Sequence, residues 1–194
     1  MIIAKAKRKE NIAEYLLYMW QVEDLIRACG LDIEAIDRNI VSRYKTDETT
    51  RREILDWYEG LIKMMELEDK RKGGHLQINK NVIIRLADLH QQLLGSTKFP
   101  DYTAEFYRTL PYIVELRAKT PKEEQVGELE TCFNALYGVL MLRLQGKPIS
   151  KDTEAAIKQI SRFVALLAAY FKKDEEKPLF GSDTDAKQSH KMHI

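Results

Sequence analysis

The sequence predicts an all-α protein: a compact antiparallel bundle of six or seven helices followed by a C-terminal tail. Three observations carry this. Apolar residues recur at helical spacing along most of the 194 residues. No stretch alternates like a half-buried strand, and no Asn-Gly or Asp-Gly marks a hairpin. Gly30, Gly95 and Gly146 fall just past the ends of apolar stripes, where helices stop.

The spacing predicts a first helix from about Glu10 to Cys29, with Gly30 as its stop. Asp32 caps a short second helix with Ile33, Ile36, Ile40 and Tyr44 on one face. Thr46 and Asp47 begin a third, whose stripe is Ile54, Trp57, Tyr58, Leu61, Ile62 and Met65. It ends in the charge run 66–72 and the Gly73-Gly74 break. A fourth helix carries Ile78, Val82, Leu86, Leu89 and Leu93.

Pro100 suits the first turn of a fifth helix, with Tyr102, Phe106, Leu110 and Ile113 inward. Pro111 lies inside it and is expected to kink or split it. Thr120-Pro121-Lys122-Glu123 has the form of a capping box with proline at the first helical position, so a sixth helix is expected from there to Gln145. Ser150 begins a seventh, lasting to about Lys173. Residues 1–173 thus form a single helical domain. Residues 174–194, beginning DEEKPLFGSD, read as a polar tail with little core of its own.

Hydrophobic residues make up 44% of the chain, enough for a substantial core. Basic and acidic residues number 31 and 30, a net charge of +1, which gives no electrostatic reason to expect nucleic acid as a partner. The basic cluster Lys5, Lys7, Arg8 and Lys9 reads as a solvated lead into the first helix. Apolar runs fall short of the roughly 18–20 residues of a membrane span. With two cysteines, Cys29 and Cys132, both within helical patterns, and no secretory signal pattern, the expectation is a soluble, reduced, cytoplasmic protein.

The residues most in need of explanation are charges on apolar faces. Glu23 and Arg27 project into the middle of the arc formed by Leu16, Met19, Trp20 and Ile26. They stand four residues apart in the favourable order for an intrahelical pair. A charge there needs a partner, because an unpaired buried charge is too costly to keep. Arg143 interrupts the face of Leu129, Leu136 and Leu140, which makes it the expected distant partner of Glu23. His90 lies beside Ile83, Leu86 and Leu94, and Asp37 lies among Ile33, Ile40 and Tyr44. Glu23, Arg27, His90 and Arg143 are therefore the candidate binding residues, should they converge.

No catalytic motif accompanies them. Glu-x-x-His, His-Glu-x-x-His, Cys-x-x-Cys, Gly-x-Ser-x-Gly and the phosphate-binding glycine patterns are absent. His190 and His193 form His-x-x-His in the tail, without a third structured ligand. No metal or cofactor is expected, and no catalytic residue is assigned.

The block MIIAKAKRKENIAEYLLYMWQVEDLIRACGLD, above all KENIAEYLLYMWQVEDLIR, resembles the opening of a family of uncharacterised Bacteroides-type bacterial proteins catalogued as a domain of unknown function. The resemblance implies a cytoplasmic all-α protein and transfers no catalytic residue. The leading functional expectation is a non-enzymatic helical module that binds a protein partner or itself. The alternative is a small-molecule-binding bundle or an enzyme with a buried polar site at Glu23 and Arg27.

Overall fold

The computed structural model describes residues 2–180. They form eight α-helices: α1 Ile2–Glu10, α2 Ile12–Ala28, α3 Ile33–Asn39, α4 Glu48–Leu67, α5 Gln77–Leu94, α6 Pro100–Ala118, α7 Glu128–Leu144 and α8 Lys151–Glu176. No strand occurs among these residues. Single 3-10 turns, Val41–Arg43 and Lys122–Glu124, follow α3 and precede α7.

Every pair among α5, α6, α7 and α8 is in contact, and α6 packs most extensively on α8. Across this four-helix unit lies α2, which touches α1, α4, α5 and α8. Its Leu16, Met19, Trp20 and Ile26 are all buried. They meet one continuous core that includes Leu76, Tyr102, Phe133 and Phe163.

The extra helix relative to expectation comes from the N-terminus. Residues 2–10 do not merely lead into the first long helix; they form α1. Asn11 then breaks the path, with extended φ and ψ, and its side chain accepts hydrogen bonds from the amides of Ala13 and Glu14. It is a new N-cap, satisfying donors that the helix itself leaves open.

Four further expectations need correction. The predicted capping box at Thr120 caps nothing downstream. Its hydroxyl donates to Leu116 O, and Gln125 donates to Arg117 O and Thr120 O, so both residues close the end of α6. The next α-helix starts at Glu128, behind Gly127. A hydroxyl four residues after a carbonyl of the last turn suits a helix end as well as a start, and tertiary packing chose the end.

Pro111 does not split α6, which runs continuously through it. Tyr44 leaves the second predicted stripe, because α3 ends at Asn39 and a 3-10 turn intervenes. The C-terminal boundary also moves. α8 continues beyond Lys173 to Glu176, Leu179 N donates to Asp174 Oδ1 at 2.8 Å, and the Phe180 ring meets Phe99 at 5.5 Å. Residues 181–194, with most of the predicted tail and the His190/His193 pair, lie outside the described residues.

Replacing Asn11 by Ala removes the acceptor for two amides. The expected cost is about 1 kcal/mol, read as a lower urea midpoint with an unchanged slope; an unchanged midpoint would mean that the α1–α2 junction does not depend on this cap.

Candidate functional site

α5 starts badly by its own resources. Its N-cap is Leu76, which has no polar side chain to bind the first free amides. The missing acceptors come from elsewhere in the fold. Glu23, fully buried on α2, accepts from Leu76 N at 3.0 Å and from Asn79 Nδ2 at 2.6 Å, both through Oε1. Glu68, just past the end of α4, accepts from Gln77 N at 2.7 Å. Two carboxylates from two other helices therefore cap α5, where the helix dipole also favours negative charge.

The second oxygen of Glu23, Oε2, lies 2.7 Å from His75 Nδ1. The His75 ring stacks on Trp20, with centroids 4.0 Å apart and planes 10° from parallel. Trp20 in turn meets the edges of Phe133 and Tyr137 from α7. Both Glu23 oxygens thus face protein groups, which is the condition for keeping a carboxylate in a core.

Arg27, one turn further along α2, binds the loop between α4 and α5. It donates from Nε to Lys70 O at 3.1 Å and from Nη2 to Gly74 O, and its Nη1 sits 2.7 Å from Asp24 Oδ1. α4 ends in a Schellman motif, with Asp69 in the left-handed region and Lys70 N bonded to Met65 O, and this turns the Lys70 carbonyl towards Arg27. Gly74 also has a positive φ of 77°, a conformation that a glycine adopts without steric cost. Asp24 completes the set by accepting from the Tyr137 hydroxyl at 2.5 Å. Burial, and then the adjacent Asp24 carboxylate, hold the Tyr137 hydroxyl above its ordinary pKa, so it remains the donor.

The four candidate residues do not converge. Glu23 and Arg27 share a neighbourhood but not a bond: Arg27 pairs with Asp24, three residues back, and Glu23 takes His75 and Asn79. Arg143 is exposed near the end of α7, and no hydrogen bond joins it to Glu23. The face it interrupts is buried at Leu129 but only half-buried at Leu136 and Leu140, so its position in the pattern carried no burial. Asp37 does find a partner, Arg51 on α4, at 2.6 Å.

His90 lies elsewhere, only 2% exposed among Tyr102, Phe106 and Phe163. Its Nδ1 is 2.6 Å from the Tyr102 hydroxyl, and its Nε2 is 4.0 Å from a Glu128 oxygen. Burial pushes its pKa down to about 4 and that of the Cys132 thiol up to about 12. At neutral pH His90 is an uncharged core residue and Cys132 an unreactive thiol. Both cysteines are free. Among the described residues, no group of three or more His, Cys, Asp or Glu side chains is placed to hold a metal ion.

Sequence reasoning missed His75, Asn79 and Tyr137. Asn79 carried a usable signal, since like His90 it is a polar residue on the face of Val82, Ile83 and Leu86. His75 sits in a glycine-rich connection, where no periodicity reports burial.

The profile of a family described as Domain of unknown function (DUF4924) matches residues 1–178, and the chain belongs to that family. No curated protein and no solved structure matches it.

Glu23→Ala would leave three partners, two of them buried, without their acceptor, at an expected cost of about 3–5 kcal/mol. Glu23→Gln keeps one acceptor oxygen but turns the other into an NH2 donor and removes the charge, so a smaller cost of about 1–3 kcal/mol is expected. Urea unfolding measures both, and an unchanged midpoint for Glu23→Ala would remove Glu23 from the capping role.

His90 also makes stability depend on pH. Its folded value of about 4 lies below the ordinary 6.5, so between those values the unfolded chain binds a proton that the folded protein refuses. Stability therefore falls as pH drops from 6.5 to 4, by on the order of 3 kcal/mol at ~1.4 kcal/mol per pH unit. The wild type should show this extra slope relative to His90→Gln; parallel stability profiles would refute it.

Proposed function

We propose that this DUF4924 protein is a non-enzymatic, cytoplasmic interaction module that docks a protein partner, or a second copy of itself, through the outer face of α7. One observation carries the reading. α7, with the sequence ELETCFNALYGVLMLRL, is apolar around most of its circumference, a pattern proper to a helix covered on all sides. Yet only Leu129, Thr131, Cys132, Phe133 and Val139 are buried. Asn134 and Gly138 are exposed, Ala135, Met141 and Leu142 are half-buried, and Leu144 is 68% exposed.

Gly138 sharpens the point. A Cβ built there meets nothing within 4 Å, so the fold itself does not require glycine at that position. Glycine inside a helix costs about 1 kcal/mol against alanine. A second backbone packed closely on this face accounts for that cost.

The other reading, a ligand site or enzyme around Glu23 and Arg27, needs open space beside those side chains. The described cavities, of 130–470 Å³, are lined by other residues, and both oxygens of Glu23 face internal partners. This supports a structural role for the cluster. A bacterial, Bacteroides-type source belongs to the same proposal, as does the cytoplasmic location, which two free cysteines suit.

Sedimentation velocity over a wide concentration range, with cross-linking in the host for a different partner, tests the reading. Gly138→Arg is expected to abolish the association while leaving the fold intact, and Gly138→Ala to raise thermal stability. Association that survives Gly138→Arg unchanged would move the interface off α7, and a monomer without a cross-linked partner would overturn the proposal.

A further inference from the structure

A second surface, built from other residues than α7's outer face, has its own chemistry. α1 ends its packing early: Ala4 is its one buried residue, while Ile2 is 64% and Ile3 41% exposed. Beside them runs the segment that leaves the 3-10 turn and enters α4. Between the two lies a groove of 370 Å³, floored by Ile2, Ile3, Tyr44 and Ile54. Its volume falls in the range of sites that take apolar groups, about 300–1,000 Å³.

The charged residues lining this groove are all basic: Arg43 and Lys45. Both are exposed, and neither forms an ion pair among the described residues. Other surface arginines do have acids beside them, as Arg38 has Glu34 and Arg108 has Glu105. The adjoining cleft, of 360 Å³, shares Ile2 and Ile54 but mixes Lys5 with Glu53 and Asp56. The groove is therefore apolar in its floor, positive at one end and of mixed sign at the other.

We propose that this groove docks a protein segment with large apolar side chains flanked on one side by carboxylates. The apolar anchors cover Ile2, Ile3 and Ile54, and the carboxylates pair with Arg43 and Lys45. The mixed end selects a peptide over an anionic membrane. A lipid surface would press negative charge against Glu53 and Asp56 as well, whereas a peptide places its acids at one end alone. The surface is independent of α7, so this inference and the proposed function fail separately.

Fluorescence anisotropy on the full chain tests it, using a labelled helical peptide of leucine and glutamate and its leucine–lysine counterpart. The glutamate peptide is expected to bind and to weaken as salt rises. The double variant Arg43→Glu/Lys45→Glu is expected to lose at least tenfold in affinity for it and to gain affinity for the lysine peptide. Ile3→Asp weakens both, while Gly138→Arg changes neither. Lys45→Glu alone serves if the double variant melts early. Equal binding of the two peptides, indifference to the charge reversal, or capture by anionic vesicles but not by the glutamate peptide would each overturn the proposal, as would self-association lost on Arg43→Glu/Lys45→Glu.

Discussion

The structure depends on a helix that has no cap of its own. α5 begins at a leucine, and its first amides are satisfied by Glu23 and Glu68 from α2 and α4. A buried amide left without an acceptor costs about 1–3 kcal/mol, so α5 can start where it does only if α2 is already alongside. That requirement fixes the register of the two helices. Arg27 and Asp24 extend the same logic over the next turn: one holds the carbonyls of the α4–α5 connection, the other the Tyr137 hydroxyl of α7. Three polar side chains within five positions of α2 thereby tie together three other parts of the fold.

This explains why a carboxylate is used in a place where burial penalises it. An apolar residue at position 23 would pack well but would leave Leu76 N and Asn79 without their acceptor. A carboxylate oxygen set among convergent donors supplies that acceptor once α5 lacks a capping side chain. His90 shows the contrary case. Surrounded by aromatic rings and with one hydroxyl neighbour, it loses more by charging than it gains, and it behaves as a core residue with a polar edge.

The two surfaces proposed for docking lie away from this lock. The interior polar groups of α2 are consumed by holding the bundle together, and what remains available to other molecules is apolar area: the outer side of α7 and the groove by α1. A helix end or edge that buries only part of its apolar residues leaves the rest for a partner. The division of labour is between α2, which spends its charges inward, and α7, which keeps apolar side chains outward.

The all-α class, the long stripes of α4 and α5, and the burial of Glu23 were legible in the sequence, because helical period and the cost of unpaired charge are local or one-sided arguments. The partners were not. An apolar stripe states which face is covered and not which residue covers it, so Arg143 was paired with Glu23 on pattern alone, while His75 and Asn79 were passed over. Thr120 carried the same ambiguity on a smaller scale, since its hydroxyl serves a helix end as readily as a start. What the sequence by itself determined is which segments form helices with an apolar face, and that a charge buried on such a face needs a partner. Only the tertiary structure decided which polar groups meet there, because that depends on where separate helices cross, and no periodicity records a crossing point.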